Sequence, residues 1–376
     1  MVEVKPIEKM KVKKTTNFLA ILFLISYLFS CEKGNENKQI IDQDNSELTE
    51  IKSPYKTTGS IERLSDKLDD LIPEDAQLEI LASGFTWSEG PLWLETENKL
   101  IFSDVPENKI YQWIPGDTVA SIYLEPSGFT SSGFHGGEMG ANGLILDADN
   151  KLILCQHGDR QLARMTSPIS QPSTEYESIA NNWEGKKFNS PNDVVLSSSG
   201  IFYFTDPPYG LPKLPEGVSG DPLENNPAKE ISFEGVYSVK NGEVELQAND
   251  VERPNGILLS PDESKIYLAN SDPNRPIWMV YDFTEEGDFT NGQIFFDASE
   301  LAKQAAGLPD GMKADDKGNI FATGPGGVLV FSPEGEHLGT IKTGNATANC
   351  AFNDDYSILY ITADMHLMRL ILKPKA

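Results

Sequence analysis

The chain has 376 residues, with 57 Asp and Glu against 31 Lys and Arg, a formal net charge of −26 at pH 7. That balance excludes a general nucleic-acid binder, whose phosphate affinity rests on clustered Lys and Arg. It suits a neutral or cationic small ligand, while most of the acid forms a solvated surface. Residues 1–31 read as a targeting segment to be set apart from the fold: Lys11, Lys13 and Lys14, an apolar run from Phe18 to Phe29, then Ser30-Cys31.

The apolar run is too short for a comfortable membrane span, and Leu28-Phe-Ser-Cys31 resembles a bacterial lipobox. The resemblance implies a Cys31 that is lipidated and becomes the mature N-terminus. The chain is then expected in the cell envelope, lipid-anchored and facing the periplasm or the surface, touching the membrane only through that anchor. An ordinary signal peptide with a coincidental Cys is the alternative. Met10 is a candidate true start, because a basic region normally begins at the initiator. Loss of residues 1–31 removes five Lys and two acids and takes the net charge to −29. Residues 32–59, polar and poor in aromatics, read as a flexible tether. From Ile61 to Ile72 the apolar spacing predicts a short helix. Residues 60–376 suffice for one undivided catalytic domain.

Within that domain one pattern recurs six times: an oxygen-bearing residue, an apolar run, a polar turn and a second apolar run. The copies open at Glu89, Asn142, Asn192, Asn255, Asp310 and Asn349, at spacings of 53, 50, 63, 55 and 39 residues. Turns such as Asp147-Ala-Asp-Asn and Ser260-Pro-Asp-Glu-Ser separate the runs. Strand-built repeats of this period, with no convincing amphipathic helix between them, predict an all-β, six-bladed β-propeller. In such a fold the openers ring one mouth of the central channel, so these carboxylates and carboxamides should face one another. Hard divalent cations take such ligands, which makes the mouth a candidate metal site. The plainer reading is that Asn-Gly and Asp-Gly only make the turn that starts each inner strand.

Residues about fifteen after each opener should return to the same entrance: Asp104, His157, Asp206 and Asn270. His157 is a candidate for substrate contact or proton transfer, against a structural role in the fold. Asp206 either binds substrate or caps the turn before Pro207-Pro208. His135, in the Gly-rich loop before Asn142, is a candidate lid residue, and the Pro- and acid-rich loop from Leu211 to Lys229 a candidate lid. Trp87 and Trp93 flank Glu89 and read as core or rim packing. Cys155 and Cys350 fall in repeats two and six and are expected as two buried thiols. No Gly-x-Ser-x-Gly elbow, His-Glu-x-x-His motif or phosphate-cradling loop is present, which leaves serine-hydrolase, zinc-protease and nucleotide chemistry without support.

The segments Glu89-Gly-Pro-Leu-Trp, Phe188-Asn-Ser-Pro-Asn-Asp-Val-Val, Tyr203-Phe-Thr-Asp-Pro-Pro-Tyr-Gly, Arg253-Pro-Asn-Gly-Ile and Leu308-Pro-Asp-Gly-Met resemble the regucalcin and gluconolactonase family, from about Ile61 to the C-terminus. Asn189-Ser-Pro-Asn-Asp and Thr205-Asp-Pro-Pro-Tyr-Gly are the forms of the bacterial gluconolactonases. The resemblance implies Ca2+, with Mg2+, Mn2+ or Zn2+ as alternatives, at Glu89, Asn192, Asn255 and Asp310. Ser190 departs from it: regucalcin carries there an arginine that meets substrate. The implied activity is hydrolysis of a sugar-derived lactone, D-glucono-1,5-lactone first, by a monomer. The metal would polarise the carbonyl, Asp310 would serve as base with His157 as runner-up, and Asn142, His157 and Asp206 would bind substrate. Hydrolysis of other esters or organophosphates, and calcium or carbohydrate binding without turnover, remain alternatives.

Overall fold

The computed structural model describes residues 53–214 and 223–374. Six antiparallel blade sheets, four of four strands and two of five, follow one another along the chain, with one separate two-stranded hairpin, Asn182–Trp183 with Lys186–Lys187. Their innermost strands are Ser88–Leu94, Ala141–Leu146, Val194–Leu196, Pro254–Leu259, Met312–Ala314 and Asn349–Phe352. Six clusters of buried apolar residues lie between successive sheets, and the last, around Leu81, Phe102, Trp113 and Tyr360, joins the sixth to the first. This is a closed six-bladed propeller. A sheet sandwiched between two neighbours buries both faces, which is why strands such as Leu152–Gln156 and Gly327–Phe331 read as unbroken apolar runs.

Closure comes from the N-terminal end of the described chain. Leu78–Ser83 is the fourth strand of the sixth blade, pairing with His366–Ile371, and Lys56–Thr58 extends that sheet by a fifth strand. Ser60–Arg63 crosses to the edge of the fifth blade and pairs with His337–Lys342. The first visible residues therefore clasp two blades, and ordered pairing begins at Lys56, inside the segment expected as tether. The helix expected at 61–72 forms only as a 3₁₀ turn, Asp66–Asp70. Its apolar residues still go inward, Leu68 and Ile72 into the core between blades five and six, but Ile61 is taken by the free strand edge. Cys155 and Cys350 are buried thiols, as expected. Residues 1–52, with Cys31, Met10 and most of the tether, lie outside the described residues, as do 215–222 of the expected lid.

Candidate active site

The openers stand where the sequence pattern predicts, at the head of the six inner strands, but the glycines beside them do a different job from making turns. A Cβ on Gly90 would meet the Asn142 carbonyl oxygen at 2.0 Å, and one on Gly256 would meet the Asp310 carbonyl oxygen at 2.2 Å. On Gly143 it would lie 2.8 Å from the Asn192 oxygen, and on Gly311 2.0 Å from Asn349 Cγ. Each glycine is the contact between one inner strand and the next opener, so the pattern marks crowding at the axis. Register breaks at Ala141/Leu144 and Pro254/Ile257 lift two openers, Asn142 and Asn255, out of the ladder, and a third break follows Glu89, which stays paired with Ser103. A bulge of this kind re-aims a side chain, here toward the axis. Hydroxyls behind the ring hold its backbone: Ser103 Oγ donates to the Asn142 carbonyl at 2.8 Å and Thr205 Oγ1 to that of Asn255 at 2.7 Å.

The ring surrounds a cavity of about 310 Å³ lined by Glu89, Asn142, Asn192, Asn255 and Asp310. Asn349, the sixth opener, is not in the lining. Its Nδ2 donates to Glu89 Oε2 at 3.3 Å and its Oδ1 accepts from the Cys350 amide, so it supports Glu89. Loops at the same mouth supply the walls, and these the sequence did not single out: Glu138 from the connection into blade two, Tyr209 after the second strand of blade three, and Ser271. Trp87 also lines the cavity, at its rim, whereas Trp93 stacks on Tyr360 with centroids 5.4 Å apart.

Two expected substrate residues are not in the lining. Asp206 is fully buried, and its two carboxylate oxygens accept from the Asn189 and Ser190 amides at 2.7 Å each. Asp104 does the same for Thr86 and Trp87, and Asn270 for Arg253. The residues about fifteen after the openers therefore hold the loops that lead into openers, and Asp206 is a loop anchor rather than a substrate ligand. Burial raises its pKa to about 7, against the opposing pull of the two amides. His157, also fully buried, sits behind Asn192 with its Nε2 3.4 Å from Asn192 Nδ2. Its ring is not among the cavity's lining residues, and burial depresses its pKa to about 3, which leaves it a weak base. His135 is buried against Phe129, with centroids 5.1 Å apart, and its carbonyl accepts from the Lys213 amide at 3.0 Å. It docks one wall loop on the other.

The lining is strongly acidic for its depth. Burial raises the pKa of Glu89, opposed by the Gly90 amide and reinforced by Asp193. Asp310 is raised well above the carboxylate range by burial and then by Glu89, Asp193 and Glu138, and its Oδ1 is enclosed without a hydrogen-bond partner. Glu138 keeps 40 % of its side chain open to solvent, and the packing around the remainder pushes its pKa upward. Carboxylates pressed toward neutrality by burial and by one another are relieved by a cation. Among the described residues no three His, Cys, Asp or Glu side chains form a metal cluster. A cation in this cavity would need carboxamide oxygens as well, and Asn192 and Asn255 stand beside Glu89 and Asp310 to provide them. This all-oxygen set fits a hard divalent ion.

A closed six-bladed propeller with acids and carboxamides at one mouth defines the class, and comparison with known proteins defines the family. The profile described as SMP-30/Gluconolactonase/LRE-like region matches residues 87–364. The chain is 38 % identical over 324 residues to a gluconolactonase of Zymomonas mobilis, covering 84 % of this chain and 87 % of that one. A gluconolactonase structure from Xanthomonas campestris superposes with a TM-score of 0.69 at 28 % identity, over 85 % of this chain and 97 % of the other. A calcium-binding regucalcin from Agrobacterium tumefaciens shares the fold, with a TM-score of 0.57 at 16 % identity over 78 % and 96 % of the two chains. The chain belongs to the SMP-30/gluconolactonase/LRE-like family, and its homologues imply a lactone hydrolase.

Proposed function

We propose that the protein is a calcium-dependent lactonase acting on an aldonolactone, D-glucono-1,5-lactone first. The observation that carries this reading is the partnerless Asp310 Oδ1 in a cavity that also presents Glu89, Asn192 and Asn255. These four residues would hold the ion, and their all-oxygen set suits calcium, with Mg2+, Mn2+ or Zn2+ as alternatives. A bound divalent cation supplies Lewis-acid polarisation of the lactone carbonyl. Asn142 offers a carboxamide to the sugar hydroxyls from the same wall. Asp310 is also the candidate acceptor for the proton of the attacking water, through the carboxylate oxygen that does not hold the ion. Trp87, Tyr209 and Leu308 narrow the mouth around a ligand of sugar size. The N-terminal segment, as read from its sequence, would tether this domain to the cell envelope through Cys31.

The test is pH-stat hydrolysis of D-glucono-1,5-lactone by the chelator-treated full chain, before and after calcium is restored. Turnover that appears only with calcium supports the proposal. A folded, calcium-binding protein that does not exceed the spontaneous rate overturns it, and hydrolysis of phosphotriesters or other esters instead would move the substrate class.

A further inference from the structure

Neither carboxamide in the proposed ligand set is free to turn. Ser271 Oγ donates its proton to the carbonyl of Pro309, a group that can only accept, so toward Asn255 the same oxygen acts as an acceptor. Asn255 Nδ2 meets it at 3.0 Å. The amide nitrogen of Asn255 is thereby committed outward, and its Oδ1 is left for the cavity. Asn192 has a counterpart in His157. A carboxamide nitrogen only donates, so the 3.4 Å contact makes His157 Nε2 the acceptor and puts its proton on Nδ1, which has no hydrogen-bond partner and lies 3.9 Å from Glu138 Oε2. Asn192 Oδ1 then also turns to the cavity. The contrast is Asn349, whose amide nitrogen goes to Glu89 and whose oxygen takes the Cys350 amide, and which does not line the cavity.

We propose that Ser271 and His157 are positioning residues that lock the amide orientation of Asn255 and Asn192, so that two carbonyl oxygens converge on one cation. Each acts through its asparagine, as partners behind a metal ligand do when they fix its orientation. The inference rests on the metal reading above. It gives a part to His157, which is buried and does not line the cavity, and to Ser271, whose sequence neighbourhood does not mark it.

The experiment is calcium titration calorimetry on the chelator-treated full chain, comparing wild type with Ser271→Ala, Ser271→Thr, His157→Leu and His157→Gln. The expected result is a calcium Kd raised roughly 10- to 100-fold by Ser271→Ala and by His157→Leu. Recovery to within a few-fold of wild type is expected in Ser271→Thr and His157→Gln, which restore an acceptor. Should the alanine variant fail to fold, Ser271→Cys removes the strong acceptor at nearly constant volume and carries the same comparison. Wild-type affinity in folded Ser271→Ala and His157→Leu overturns this inference alone. No calcium binding by the wild type overturns the metal reading and this inference with it.

Discussion

Gly256 lacks a side chain because Asp310 of the next blade is already there: a Cβ at residue 256 would stand 2.2 Å from the Asp310 carbonyl oxygen. Two inner strands touch through backbone at this point, which sets how closely the openers approach one another. Gly256→Ala forces them apart, and overpacking of this kind costs about 1–3 kcal/mol. Chemical denaturation should show that loss together with weaker cation binding. Unchanged stability and affinity would mean that the crowding is not what spaces the ring.

The sign of the pH dependence in the metal-free protein follows from Glu89. Its pKa rises on folding from the carboxylate range to about 8, so between those values the folded state holds a proton that the unfolded state has lost. Stability is therefore full below the unfolded pKa and falls as pH rises toward 8. Thermal melts of chelated protein should decline between about pH 6.5 and 8, above the range in which His157, depressed by burial, adds stability as pH rises, and Glu89→Gln should lessen the decline. A melting temperature that rises with pH over that range in chelated wild type would contradict the assignment.

Asp206→Asn separates an anchor from a ligand. The carboxamide keeps one acceptor for the Asn189 and Ser190 amides and loses the other, so the variant should lose about 1–3 kcal/mol of stability. The KM for lactone, measured below the melting transition, should stay close to wild type. A KM raised tenfold with stability intact would return Asp206 to the substrate site.

The propeller needs its first strand. Tyr55 is buried, donates to the Asp117 carbonyl at 3.0 Å and lies under the Arg369 guanidinium, 4.9 Å from the ring centroid. A chain begun at Ser60 loses these contacts and Lys56–Thr58, and it should melt several degrees below one begun at residue 53. Equal melting temperatures would show that this strand is dispensable.

Much of this was legible in the sequence, for a physical reason. Each blade is a local unit, so its strand, turn and strand appear in order, and each opener stands next to the glycine that the axis demands at four of the six inner strands. What was not legible depends on residues brought together from afar. Glu138, Tyr209 and Ser271 reach the cavity only because their loops fold over one mouth, and no local pattern marks a loop's destination. Lys56–Thr58 and Ser60–Arg63 pair with strands at the edges of blades six and five, so their tether-like or helix-like sequence carried no sign of closure. Asp206 and His157 were placed at the right mouth, but whether a polar side chain faces the cavity or the loop behind it depends on the direction of its Cβ, which the repeat does not encode.

The most direct measurement is the rate of D-glucono-1,5-lactone hydrolysis as calcium is titrated into chelated wild type and Asp310→Asn. The account predicts activity that rises from the spontaneous rate and saturates with calcium in the wild type, and none in the variant at any calcium concentration. Full activity in chelator, or wild-type turnover by Asp310→Asn, would contradict it.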